Sequence, residues 1–420
     1  MIAPSRIENP SFEGDLRKSK IGFVVPRYGL DVLGGAETFA RQFAEHLFCA
    51  CTGGKAQAGP PGEFDVTVLT TCARDLLTWR NEYAPGESRI NNVRVLRFPI
   101  DHRRRDAGLF QRLTDRFSRG EPASSADQTA WLEHSAHSPD LYLYLARHGR
   151  VYDLLVFLPY LFGTTIFCSA IWPEKSVICP CLHDEPYAYF ADVRLMLNSA
   201  RGLMFISPAE QALAENKLGV RHPAARLVGM GLDESAADGE RFRRKYGLSE
   251  PFVLYAGRLD PMKNVMQLLT FFLAYRQIRP DRGLKLVLAG SGPLALPNHP
   301  DVVPLGFLDP ADLHDAYAAA LVLCQPSLVE SFSIVLMESW LAGTPALVHG
   351  DCAVTRDHVM RSNGGLYFTS AAEFGEALDW FFDHDQARRQ MGALGRAYVH
   401  REFRWPVVLD RFRAAAALWK

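Results

Sequence analysis

Phe252-Val253-Leu254-Tyr255-Ala256-Gly257-Arg258-Leu259-Asp260-Pro261-Met262-Lys263 is an apolar run of strand length that passes into a glycine and two cations, and helical periodicity follows over residues 265–276. Strand, tight turn and helix in that order form the repeating unit of a parallel sheet covered by helices on both faces. The unit recurs downstream, with strand-length runs at 284–289, 302–305, 321–324, 346–348 and 365–368 and helical stretches at 311–320 and 335–342. Upstream the same alternation appears, with strands expected at 21–25, 65–69, 93–98, 153–158, 176–181 and 203–206 and helices opening near Ala36, Pro139 and Pro208.

A chain of 420 residues exceeds the ~100–150 residues of an ordinary domain, so two domains are expected. We place the first at 1–231, the second at 232–403 and a terminal helix at 404–420, the join falling where residues 232–239 turn polar. No sequence repeat relates the halves, so the duplication is one of architecture. The fold class is α/β, with two doubly wound Rossmann-like units. Nearly half the residues, 48%, are apolar and the formal net charge is -1. That balance favours neither disorder nor a nucleic-acid partner. No run reaches the ~18 apolar residues of a membrane helix, and residues 1–20 hold nothing like a signal peptide, which predicts a cytoplasmic chain with reduced thiols. Only Cys49/Cys51 and Cys179/Cys181 of the eight cysteines lie close in sequence. Neither pair has metal-site spacing, and all eight read as packing or surface residues.

Two stretches interrupt the alternation. Residues 51–62 are rich in Gly, Pro and Ala and read as a surface loop. Residues 101–138 are long and polar and begin with Arg103, Arg104 and Arg105; a solvated loop is expected there, with a site for an anionic lipid or substrate as the alternative.

Chemistry concentrates at Glu330-Ser-Phe-Ser-Ile-Val-Leu-Met-Glu338, two carboxylates spanning a strand-to-helix turn. A helix start near Ser333 offers free N–H groups and a positive dipole end to a diphosphate. Glu330 falls in the loop and Glu338 about two turns on, inside the helix. The stretch resembles the Glu-(seven residues)-Glu signature of the family 4 glycosyltransferases, retaining enzymes of the GT-B class. Gly257-Arg258 through Lys263 is similar to that family's Gly-Arg-x4-Lys segment, Gly290-Ser-Gly292-Pro and Gly306-Phe307-Leu308 to later turns of the same domain, Gly34-Gly35-Ala36-Glu37 to its first glycine loop, and His183-Asp184-Glu185 to its histidine loop.

The resemblance implies two domains facing across a cleft, with the terminal helix crossing back onto the first. It implies roles as well: Arg258 and Lys263 on the diphosphate, His183 and Glu330 on the sugar, Glu338 on the ribose, Phe307 and Leu308 beside the base, and the backbone of Phe332, Ser333, Ile334 and Val335 on sugar and phosphate. The glycines Gly34 and Gly35 would let backbone approach the phosphate. The expected partners are a nucleotide-sugar donor and a hydroxyl acceptor, a lipid-linked saccharide being one candidate, with at most peripheral contact at the inner face of a membrane. With two cations on the diphosphate, no cofactor and no metal are expected. Ser333 departs from the glycine common at its position, which bears on the sugar chosen.

Other readings fit less well. A nicotinamide-dependent dehydrogenase needs Gly-x-Gly-x-x-Gly, which is absent, and no P-loop motif occurs. The tripeptide Asp383-His384-Asp385 could serve a metal-dependent transferase, but Asp385 is better placed to cap the next helix. A non-catalytic GT-B partner subunit would have no need of Arg258, Lys263, Glu330 and His183 together.

Overall fold

The computed structural model describes residues 18–420 except 33, 53–62 and 77. Most of the polar opening at 1–20, and the 51–62 stretch from 53 onward, lie outside the described residues. Eight strands form the first sheet: β1 (Ser19–Val24), β2 (Phe64–Thr71), β3 (Gly86–Ile90), β4 (Val93–Phe98), β5 (Leu154–Phe157), β6 (Ser176–Ile178), β7 (Gly202–Phe205) and β8 (Ala225–Leu227). Their spatial order is β3-β4-β2-β1-β5-β6-β7-β8, parallel except at the β3/β4 edge. Six more form a second, wholly parallel sheet: β9 (Phe252–Ala256), β10 (Lys285–Ala289), β11 (Val302–Gly306), β12 (Val322–Gln325), β13 (Ala346–His349) and β14 (Gly365–Phe368), in the order β11-β10-β9-β12-β13-β14. The central strands β5 and β9 are buried along their whole length, which is why they are continuous apolar runs without alternation.

In each sheet the chain runs outward on one side and then returns to the other. The reversals lie between β1 and β5 and between β9 and β12, and crevices at such points are where open sheets bind ligands.

The connection between the units passes 229–232 and is crossed again at 403–404, where the Leu232 N–H donates to the Phe403 carbonyl at 2.8 Å. Beyond it the Trp405–Trp419 helix lies on the first unit. Phe412 packs edge-on to Phe43 with centroids 5.1 Å apart, and Trp419 Nε1 donates to the Ala224 carbonyl at 2.8 Å. No helix among the described residues is long and apolar enough to cross a membrane.

Several local expectations need correction. The 101–138 stretch is not a loop; it holds the helices Ala107–Ser118 and Ser125–Glu133. Asp106 caps the first, and Ser124 with Asp127 forms a capping box on the second, satisfying N–H groups that polar composition alone seemed to leave in solvent. Their buried Leu113, Phe117, Trp131 and Leu132 complete the first unit, Trp131 stacking on Tyr187 at 4.6 Å. The run at 176–181 is strand only to Ile178, since Pro180 has no N–H to give a ladder. Strand β3 escaped notice because it is a polar, exposed edge; its hairpin turn is carried by Asn91 and Asn92, both at positive φ, as a two-residue turn of that hand requires.

Candidate active site

The turn after β9 and the loop after β12 meet at the reversal of the second sheet. Tyr255 donates its hydroxyl to the Arg258 carbonyl at 2.6 Å, and Asn264, in the left-handed region at φ 57°, donates Nδ2 to the Pro326 carbonyl at 3.0 Å. The second bond ties the 257–264 turn to the loop that carries Glu330. In consequence Lys263 Nζ lies 2.7 Å from Glu330 Oε1, and Gln325 Nε2 donates to the same oxygen at 3.3 Å. Glu330 Oε2 takes no hydrogen bond from the described residues. Arg258 is 66% exposed at its side chain, with a guanidinium nitrogen 3.4 Å from Asp260. Among the described residues no hydrogen bond or ion pair joins Arg258 or Glu338 to Glu330.

The Ile334–Leu341 helix starts one residue after Ser333, whose backbone sits at φ 71° and whose side chain does not cap the first turn. The N–H groups of that turn therefore stay free of a side-chain acceptor from Ser333, the condition in which a helix start attracts an anion. Phe332 turns its ring inward, 5.0 Å from Phe403 and 5.4 Å from His358, leaving only its backbone toward the loop. Ile334 and Val335 open the helix. Glu338 accepts from the Tyr317 hydroxyl at 3.0 Å, and burial pushes its carboxyl up to about 7. After β11, Phe307 is 66% exposed while Leu308 is buried. Gly290 is required by packing, since a Cβ there would lie 1.8 Å from the Gly257 carbonyl oxygen; the Gly290-Ser-Gly292 turn is a close crossing of two loops.

The first unit brings its own loops to the same place. Gly34 has φ 153°, and a Cβ on it would fall 2.2 Å from Glu37 Oε2. The glycine leaves room for Glu37, which forms a buried ion pair with Arg27 at 2.5 Å. Gly35 is the residue that faces the other unit, a Cβ on it lying 3.8 Å from Ile334 Cδ1. His183, in the connection after β6, is about a third exposed, and its Nδ1 stands 3.6 Å from Glu185 Oε1. Tyr160 donates its hydroxyl to that oxygen at 2.7 Å.

Glu210 supports the histidine loop from below. One oxygen accepts the Leu182 N–H at 2.8 Å and the other the Ile206 N–H at 2.7 Å, and full burial pushes the carboxyl up to about 7. Next to it, Ser207 Oγ donates to the Ser331 carbonyl at 2.9 Å, a bond between the two units that ends one residue from Glu330. Lys263 and Glu330 are thus in contact, Gly35 lies opposite Ile334, and the loop of His183 is linked to the Glu330 loop through Glu210 and Ser207. Sequence reasoning missed Asn264, Gln325, Tyr317 and Glu210, and named Glu185 only as part of the histidine loop. For Glu210 a signal existed, since Ser207-Pro-Ala-Glu210 has capping-box spacing.

Asp383 pairs with Arg282 at 2.5 Å, while Asp385 is the first residue of its helix and pairs with Arg388 and Arg389. It makes no cap; His384 holds that position without a side-chain bond, because Asp385 already lies within the first turn. Among the described residues no group of three His, Cys, Asp or Glu side chains could hold a metal ion.

Residues 238–398 match the family model described as glycosyl transferases group 1. D-inositol 3-phosphate glycosyltransferase of Corynebacterium glutamicum (strain R) is 33% identical over 172 residues, which cover 36% of this chain and 40% of that protein, less than half of its length. Among solved structures the chain resembles sucrose-phosphate synthase from Thermosynechococcus elongatus, with TM-score 0.68 and 17% identity over 96% of this chain and 99% of that one. It also resembles Anabaena HepE in complex with UDP and glucose, with TM-score 0.65 and 18% identity over 95% of this chain and 99% of that one. At such identities the structures establish the fold, two Rossmann-like units in the GT-B arrangement.

Proposed function

From the match of residues 238–398 to the glycosyl transferases group 1 family model, we propose that the chain belongs to that family and is a retaining glycosyltransferase moving a hexose-type sugar from a nucleoside diphosphate sugar to a hydroxyl acceptor, in polysaccharide or glycoconjugate assembly. The observation that carries the reading is the meeting of Lys263 with Glu330 beside the uncapped helix start at Ser333. A cation, a carboxylate and free N–H groups at one strand-end crevice suit the two halves of a nucleotide sugar, the anionic diphosphate and the hydroxylated ring.

In this reading the diphosphate lies against the N–H groups of Ile334 and Val335, with Arg258 and Lys263 offsetting the charge that grows as the glycosidic bond breaks. Glu330, steadied through Oε1 by Lys263 and Gln325, presents Oε2 to the sugar. Glu338 grips the ribose, Phe307 stacks on the base, and His183 holds a sugar hydroxyl with its imidazole oriented by Glu185. The chemistry is a front-face displacement: the acceptor oxygen bonds to the anomeric carbon as the bond to the phosphate oxygen breaks, and that leaving oxygen takes the acceptor's proton. The protein contributes orientation and leaving-group stabilisation in a cleft between two units. It works without a metal, as a cytoplasmic enzyme with at most peripheral contact with the membrane.

The test is a panel of UDP- and GDP-sugars scored by thermal shift and then by turnover, with the anomeric configuration of the product assigned by NMR. A saturating donor at 100 times its Kd should stabilise the chain by about 2.7 kcal/mol. No shift with any nucleotide sugar would overturn the reading, and an inverted product would overturn its retaining mechanism.

A further inference from the structure

Ser333 is held in a conformation that serine rarely adopts. Of the seven non-glycine residues at positive φ among the described residues, four are asparagines, which tolerate the left-handed region, whereas a serine there is strained. The strain gains nothing for the helix, because the Ser333 side chain makes no cap bond. Its hydroxyl oxygen instead accepts from Gln325 Nε2 at 3.4 Å, the same nitrogen that donates to Glu330 Oε1 at 3.3 Å. Gln325 is 4% exposed, and its own Oε1 has no partner. A buried amide that leaves one end unsatisfied while binding two loop oxygens fixes the loop at a cost to the fold.

With its oxygen accepting from Gln325, the Ser333 hydroxyl is free to donate, and no described residue accepts that proton. Glu330 Oε2, on the carboxylate whose other oxygen bonds that same amide nitrogen, is an acceptor without a donor among the described residues. A donor and an acceptor set together by one amide match a hydroxyl, which both gives and takes a hydrogen bond. We infer that Ser333, positioned by Gln325, reads one ring hydroxyl of the donor sugar jointly with Glu330, and so requires a donor that carries it. This rests on the reading above that Glu330 faces the sugar.

The experiment takes a donor found by the turnover panel, together with its monodeoxy analogues at each ring position. kcat/KM is measured for wild type, Ser333→Gly, Ser333→Ala and Gln325→Leu. Wild type should reject one deoxy analogue by ~100-fold or more, because a site built to bond a hydroxyl is left unpaired without it. Ser333→Gly should lose at least tenfold of that discrimination and melt several degrees higher, the strain being relieved. Ser333→Ala keeps the Cβ and its strain, so it should lose the discrimination without the gain in Tm. Gln325→Leu should weaken discrimination at the same ring position. Wild-type discrimination retained in both serine variants overturns this inference alone; a wild-type chain that transfers from no nucleotide sugar overturns the reading beneath it as well.

Discussion

Glu338→Gln separates stability from donor binding at a single side chain. Burial pushes the Glu338 carboxyl up to about 7, outweighing the hydrogen bond from Tyr317, whereas a glutamate in an unfolded chain titrates near ~4.3. The folded chain therefore binds the extra proton between those values. The stability it confers is fully present below about pH 4.3 and is lost as the pH rises through about 7. One pKa unit is worth ~1.4 kcal/mol, so ionisation of Glu338 costs the fold at most about 4 kcal/mol at pH 8. The residue keeps part of its surface in solvent, which brings the expected figure nearer ~1.5 kcal/mol. Glutamine never ionises and can still accept from Tyr317. The variant should come nearest to wild type at pH 5 and exceed it at pH 8 by roughly 3–6 °C in Tm; Glu210 titrates alike in both proteins and cancels. Donor binding should move the other way, with KM raised several-fold at nearly constant kcat, because a ribose contact is made equally in ground and transition states. Tm at four pH values and initial rates at saturating acceptor decide it. A Tm difference that is the same at pH 5 and pH 8 would refute the raised carboxyl, and an unchanged KM would refute the ribose contact.

Three further outcomes are expected. Lys263→Ala should lower kcat by ~100–1,000-fold if, as proposed, the lysine offsets leaving-group charge besides bonding Glu330; near-normal turnover in a variant that melts like wild type would remove it from the mechanism. Glu330→Gln keeps shape but not charge, so kcat should fall with little change in donor KM, and a change confined to KM would reassign it to binding. Chelation with EDTA should leave donor binding and turnover intact, and a loss restored by manganese would show that a metal takes part.

How far the sequence alone could be read differs by level. The two doubly wound units were legible because buried parallel strands are written as uninterrupted apolar runs, and β5, β9 and β10 carry that mark plainly. The helices at 107–133 were not, because their buried Leu113, Phe117, Trp131 and Leu132 are spaced among arginines and acids, and partners that bury them, such as Tyr187 and Phe190, lie far along the chain. Strand β3 shows the same limit, being polar up to Ile90 and held by its pairing with β4.

At the candidate site, the resemblance to family motifs picked out Lys263, Glu330, Ser333 and Glu338 as a group, and local geometry set Glu330 in the loop and Glu338 in the helix. Tertiary structure decided which of them meet. Lys263 reaches Glu330 because Asn264 bonds a carbonyl sixty-two residues away, and no local pattern encodes that distance. Gly34 also makes room for the Arg27–Glu37 pair, and Gly35 lies opposite Ile334, packing relations that the glycine pair in the sequence does not reveal. Position 333 makes the division plain: the sequence by itself determined that a serine stands there, but its left-handed backbone and its bond to Gln325 arise only when the end of β12 is packed under the helix start.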